Sequence, residues 1–196
     1  MEFYNRFDEI SKLESIWNRS FEQSQMTVIS GRRRIGKTRL LLEFFKDKKC
    51  IYLFVTKKSK ELLTKEFFDI INDEIGDDII GYPENFNDIF QLLLKYAKKE
   101  QITLIVDEIQ NFITVDNSIF SDLQKLWDLN KYSSKLNLIL SGSVYSLIYK
   151  IFQNSKEPRI MQHKFVHLDK LFEYDQTIYC FIKFCSASCI LFLHNT

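Results

Sequence analysis

A three-layer α/β fold, with helices covering both faces of a parallel sheet of roughly five strands, is predicted by three features of the sequence. Short, almost wholly apolar runs alternate along the chain with longer segments of helical spacing. The apolar runs lack the in–out alternation of a half-exposed strand, so both faces of each must be covered, as in a parallel sheet. Two of the runs end in glycine-rich or acidic residues, at the strand ends where such sheets gather their ligands. The 196 residues suit one domain with a full core.

Each element follows in order. The first 25 residues read as an amphipathic helix with Ile10, Leu13, Ile16 and Trp17 on one face. Met26 to Ser30 is a buried strand ending at Gly31, and RLLLEFFK (Arg39 to Lys46) is a helix with Leu40, Leu41, Phe44 and Phe45 on its apolar side. CIYLFV (Cys50 to Val55) is a second strand bounded by lysine clusters. Residues 59 to 75 and 86 to 99 are helical, the latter through Phe86, Ile89, Phe90, Leu93 and Leu94, with Gly81-Tyr82-Pro83 between them. Ile102 to Val106 is the third strand, and residues 118 to 129 are a helix through Ile119, Leu123, Leu126 and Trp127. Leu136 to Leu140 is the fourth strand, Val144 to Phe152 a helix, and Lys164 to Leu168 a weaker fifth strand.

Composition excludes several classes. Hydrophobic residues make up 45% and charged residues 27%, which argues against disorder, and the net charge of +1 points to no nucleic-acid or membrane partner. The charge is unevenly spread: residues 32 to 65 hold twelve Lys or Arg against three acids, and residues 66 to 128 hold fourteen acids against four bases. The opening MEFYNRFDEI has no secretory signal pattern, and Cys50, Cys180, Cys185 and Cys189 form no CxxC or metal-ligand spacing. They read as reduced thiols of a cytoplasmic protein. The longest apolar run, Ile178 to Leu193, is interrupted by Lys183 and falls short of the roughly 18 residues of a membrane span. His163, His167 and His194 show no ligand partners.

Gly31-Arg32-Arg33-Arg34-Ile35-Gly36-Lys37-Thr38 matches G-x-x-x-x-G-K-[ST], placed between a strand and a helix. Its glycines let the backbone curl so that successive N–H groups face phosphate oxygens, and the positive end of the following helix adds to the attraction. Lys37 would reach the β- and γ-phosphates, and the Thr38 hydroxyl would ligate Mg²⁺. The whole loop and Arg39 after it are candidate nucleotide contacts. Arg32, Arg33 and Arg34 read as a solvated basic rim that raises local ATP concentration, or alternatively as a DNA contact. ITLIVDE (Ile102 to Glu108) is an apolar strand ending in two acids: Asp107 suits Mg²⁺, and Glu108 suits polarising the attacking water. Ser141-Gly142-Ser143 ends the fourth strand, expected between the other two; either hydroxyl could touch the γ-phosphate or the water, or the segment is an ordinary turn.

Phe3-Tyr-Asn-Arg6…Glu9, GRRRIGKT, LIVDEIQ and Ser141-Gly142-Ser143 followed by Ser155-Lys-Glu-Pro158 together resemble the archaeal-type AAA+ ATPase family, a relative of the STAND and replication-initiator ATPases. The resemblance spans residues 2 to about 175 and implies the AAA+/ASCE arrangement of the P-loop fold. It implies that Gly31, Gly36, Lys37 and Thr38 form the nucleotide loop. Asp107 and Glu108 are implied as the metal and catalytic acids, Ser141 or Ser143 as the sensor, and Arg6 as a residue near the adenine edge. Arg159 directly follows Pro158, where the family pattern has a few intervening residues. Residues 1–175 are expected to form the ATPase domain, and 176–196 the start of a helical lid or an aberrant tail, with the lid largely missing. The function so read is Mg²⁺-dependent ATP hydrolysis. Alternatives are a non-hydrolysing nucleotide switch or degenerate fragment, a DNA-associated ATPase, and a small phosphotransferase; another protein or a second copy is a candidate partner.

Overall fold

The computed structural model describes residues 6–76, 82–116 and 118–143, and the backbone strands 164–168 and 180–184. The described residues form, in order, α1 (Phe7–Arg19), β1 (Gln25–Gly31), α2 (Lys37–Phe45), β2 (Cys50–Phe54), α3 (Lys60–Ile75), α4 (Phe86–Ala97), β3 (Ile102–Asp107), a 3₁₀ turn (Ile109–Asn111), α5 (Phe112–Val115), α6 (Ile119–Asn130), β4 (Leu136–Gly142), β5 (Lys164–Leu168) and β6 (Cys180–Phe184).

The strands lie in the order β2-β3-β4-β1-β5-β6, with the first five mutually parallel and β6 antiparallel to β5. Every residue of β1, β3 and β4 is buried, which is why these segments are apolar without alternation. Successive side chains still go to opposite faces. Val28, Leu104, Val106, Leu138 and Leu140 join a large core with α3, α4, α5 and α6. Ile29, Ile105 and Ile139 join a smaller one with Leu13 of α1 and Leu40, Leu41, Phe44 and Phe45 of α2. Helices therefore cover both faces, and the three predicted layers are present. Phe90, fully buried in the larger core, is a position where truncation to alanine costs about 3–5 kcal/mol.

Local signals set the helix ends. The Ser59 hydroxyl accepts from Leu62 N at the start of α3, and that helix stops at Gly76, whose φ of 87° suits glycine. Asn85 and Asp88 form a reciprocal capping box at the start of α4.

At Cys180–Phe184 the chain is extended and pairs antiparallel with β5. The helix expected at Val144 to Phe152, the Ser155 to Pro158 step, Arg159 and Phe3 lie outside the described residues. Among the described residues no helix is long and apolar enough to cross a membrane.

Candidate functional site

The sheet order puts β4 between β1 and β3, so the Gly31 loop, Ser141-Gly142-Ser143 and Asp107-Glu108 emerge side by side at the carboxyl ends. Strand β1 ends at Gly31, and α2 starts at Lys37, so residues 32 to 36 form the connecting loop. Gly36 has φ 90° and Arg34 has φ 63°. The positive φ is easy for glycine; for arginine it costs about 1–2 kcal/mol, which the surrounding structure must hold in place. Glu108, with φ 55°, is the other non-glycine residue of this kind among the described residues. Both strained positions flank the same site, where such strain tends to concentrate.

Lys37 is 6% exposed, and its Nζ donates to the carbonyls of Gly31 (2.9 Å) and Arg32 (3.1 Å). The ammonium therefore sits inside the loop. Burial pushes its pKa below the usual lysine value; the charges of Glu108 and Asp107 oppose that shift, and Arg33 adds to it.

Thr38 Oγ1 donates to Asp107 Oδ2 at 2.6 Å, and Tyr52 OH donates to the same oxygen at 2.8 Å. Asp107 Oδ1 accepts from Glu108 N at 2.9 Å. Burial, then the Asp107 charge, raises the Tyr52 pKa, so its hydroxyl remains a donor. Among the described residues no group of three or more His, Cys, Asp or Glu could itself hold a metal. The oxygen pair of Thr38 and Asp107 instead fits a hard cation that shares its coordination with phosphate oxygens, which is how Mg²⁺ usually binds.

The Glu108 carboxylate accepts from Gln110 Nε2, which also donates to Ser143 Oγ at 3.2 Å. The Ser143 N–H donates back to Gln110 Oε1 at 3.4 Å. Asn111 Nδ2 donates to Val55 O at 2.7 Å, and Val55 N to Asp107 O at 2.9 Å, fixing the chain after β2 to the turn after β3. The two serines differ. Ser143 belongs to the Glu108 network, whereas Ser141 is fully buried with no hydrogen-bond partner for its hydroxyl.

Other predicted contacts divide by exposure. Arg32, Arg33, Arg34 and Arg39 are exposed. The Ile35 side chain packs in the smaller core, so only its backbone faces the loop. Arg6 is 4% exposed; it pairs with Glu9 at 2.8 Å and donates to Ile35 O at 2.9 Å. Its guanidinium, at the N-cap of α1, thus braces the loop.

Sequence reasoning singled out neither Tyr52, Gln110 nor Glu9's partnership with Arg6. The Arg6–Glu9 spacing of i, i+3 on a helix was the available signal. Tyr52 and Gln110 depend on contacts across the sheet.

The sequence profile of ATPase domains found predominantly in Archaea matches residues 3–187. The chain belongs to that family. The ATPase domain is 28% identical over 180 residues to an uncharacterized protein of Methanocaldococcus jannaschii, covering 87% of this chain but 38% of that protein. In fold it is similar to the Walker-type ATPase PABY2304 of Pyrococcus abyssi, at TM-score 0.62 and 20% identity, over 85% of this chain and 54% of that one. It is also similar to Cdc6p of Pyrobaculum aerophilum, at TM-score 0.52 and 15% identity, over 75% and 41%. These neighbours share the fold described above, a parallel sheet with helices on both faces. The chain spans well under two thirds of each of these proteins.

Proposed function

We propose that this domain binds ATP with Mg²⁺ and hydrolyses it slowly to ADP and phosphate. The observation that carries the reading is the 2.6 Å bond between Thr38 and Asp107, which joins the phosphate-type loop to an acid at the end of a strand two positions away in the sheet.

The backbone N–H groups of residues 31 to 38 would hold the phosphates, and Lys37 would exchange its two carbonyl partners for phosphate oxygens. Thr38 and Asp107 would hold Mg²⁺, which when bound neutralises charge on the phosphate oxygens. Glu108 would take a proton as water oxygen bonds to the γ-phosphorus and the bond to the β–γ bridging oxygen breaks. Gln110 keeps the Glu108 carboxylate tied to Ser143, so the base and the end of β4 act as one unit. The exposed Arg32, Arg33 and Arg34 form a positive rim that draws the anionic nucleotide in.

ATP turnover in the wild-type chain and in Glu108→Gln tests the proposal. A general base contributes about 10²–10⁴-fold, so the variant should lose at least about a hundredfold in rate while still binding ATP. Equal rates would remove Glu108 from the reaction. Binding without turnover in both would select the nucleotide-switch reading, which the engagement of Glu108 by Gln110 favours as the second choice.

A further inference from the structure

Tyr52 has no part in the reaction as assigned above, yet its place in the sheet ties it to Asp107. In the β2–β3 pair Tyr52 lies opposite Ile105, and Phe54 opposite Asp107. Tyr52 and Asp107 are therefore diagonal neighbours on one face of adjacent strands, since the side-chain period is 2. A diagonal of this kind is within reach of an aromatic side chain. The phenol ring packs against the smaller core while its hydroxyl donates to Asp107 Oδ2 at 2.8 Å.

The three donors to the Asp107 carboxylate come from separate parts of the fold. Thr38 belongs to α2, Glu108 N to the turn after β3, and Tyr52 to β2. Thr38 spends only its proton on Asp107, which leaves its oxygen lone pairs for a cation. Tyr52 approaches from the neighbouring strand and is anchored by sheet pairing rather than by the loop. Its bond meets the same Oδ2 that Thr38 uses and restricts the rotation of the carboxylate.

We infer that Tyr52 is a positioning residue of the metal site: it orients the Asp107 carboxylate before a divalent cation arrives with the nucleotide. The inference rests on the assignment of Thr38 and Asp107 as the metal-holding pair. Outer partners that orient a ligand in this way typically alter metal affinity by about 10–100-fold.

The test is calorimetric titration of ATP into the full chain and into Tyr52→Phe, first in EDTA and then with saturating Mg²⁺. The variant removes one hydroxyl and keeps the ring. Its metal-free affinity for ATP should match the wild type within about twofold, while the gain in affinity on adding Mg²⁺ should shrink by about tenfold or more. An undiminished gain in the variant would overturn the inference, as would a parallel fall with and without metal, which is what a merely structural hydroxyl would give. A wild-type chain whose affinity is indifferent to Mg²⁺ would instead overturn the assignment of Thr38 and Asp107 itself.

Discussion

Thr38 Oγ1 donates to Asp107 Oδ2 across 2.6 Å, linking the first turn of α2 to the last residue of β3 past the end of β4. A hydrogen bond to a charged group contributes about 1.5–3 kcal/mol. Thr38→Val keeps the shape and removes the donor. Urea unfolding of this variant without nucleotide should therefore show a loss of about 1–2 kcal/mol, at the low end because Tyr52 and Glu108 N still serve Asp107. No loss would mean that the bond is not formed in solution.

Lys37 gives a pH signature. Burial lowers its folded pKa below the ordinary 10.5, so the charged form is the disfavoured one in the fold. Between the lowered value and 10.5 the unfolded chain binds more protons, and stability contributed at this site rises with pH across that window. Below the window the cost is fully present. Lys37→Met should flatten this rise in unfolding free energy measured from pH 7 to 10, and should weaken ATP binding by about ten- to a hundredfold through loss of charge-assisted bonds. An unchanged pH profile would contradict the buried placement of the ammonium.

Gln110 predicts a split between rate and affinity. It bonds to the Glu108 carboxylate and to Ser143 at the end of β4. Steady-state kinetics of Gln110→Ala should show kcat reduced by about tenfold with KM for ATP nearly unchanged, as expected when the base loses its orientation. A rise in KM at constant kcat would mean that Gln110 serves binding instead.

The Arg6–Glu9 pair predicts an asymmetry in stability. Both side chains are buried, at 4% and 2% exposure, and Arg6 also holds Ile35 O of the loop. Arg6→Ala leaves Glu9 buried and unpaired, a loss of about 3–5 kcal/mol, whereas Arg6→Met with Glu9→Leu should recover most of it. Equilibrium denaturation of the two variants separates these outcomes; equal losses would contradict the account.

Much of the fold was legible because β1, β3 and β4 are buried on both faces, so their apolar runs stand out without any knowledge of their neighbours. The loop was legible for a similar reason: Gly31, Gly36, Lys37 and Thr38 lie in one continuous stretch whose chemistry follows from residue type. What stayed hidden depends on pairing. Tyr52 meets Asp107 across 55 positions, Gln110 meets Ser143 across 33, and Arg6 meets Ile35 across 29. Each contact is set by strand register or helix docking, and no local pattern encodes either. The extended state of Cys180–Phe184 was illegible too, because so short a segment, with Lys183 breaking its apolar run, takes its conformation from the strand beside it.

The central claim is that the loop around Lys37 captures a triphosphate whose metal is shared by Thr38 and Asp107. Calorimetry of ATP binding to the wild-type chain, with and without Mg²⁺, tests it most directly. The account predicts saturable one-to-one binding that Mg²⁺ tightens by about tenfold or more, in line with a metal held by protein and phosphate together. Absence of saturable heat under both conditions, or identical curves with and without the metal, would contradict it.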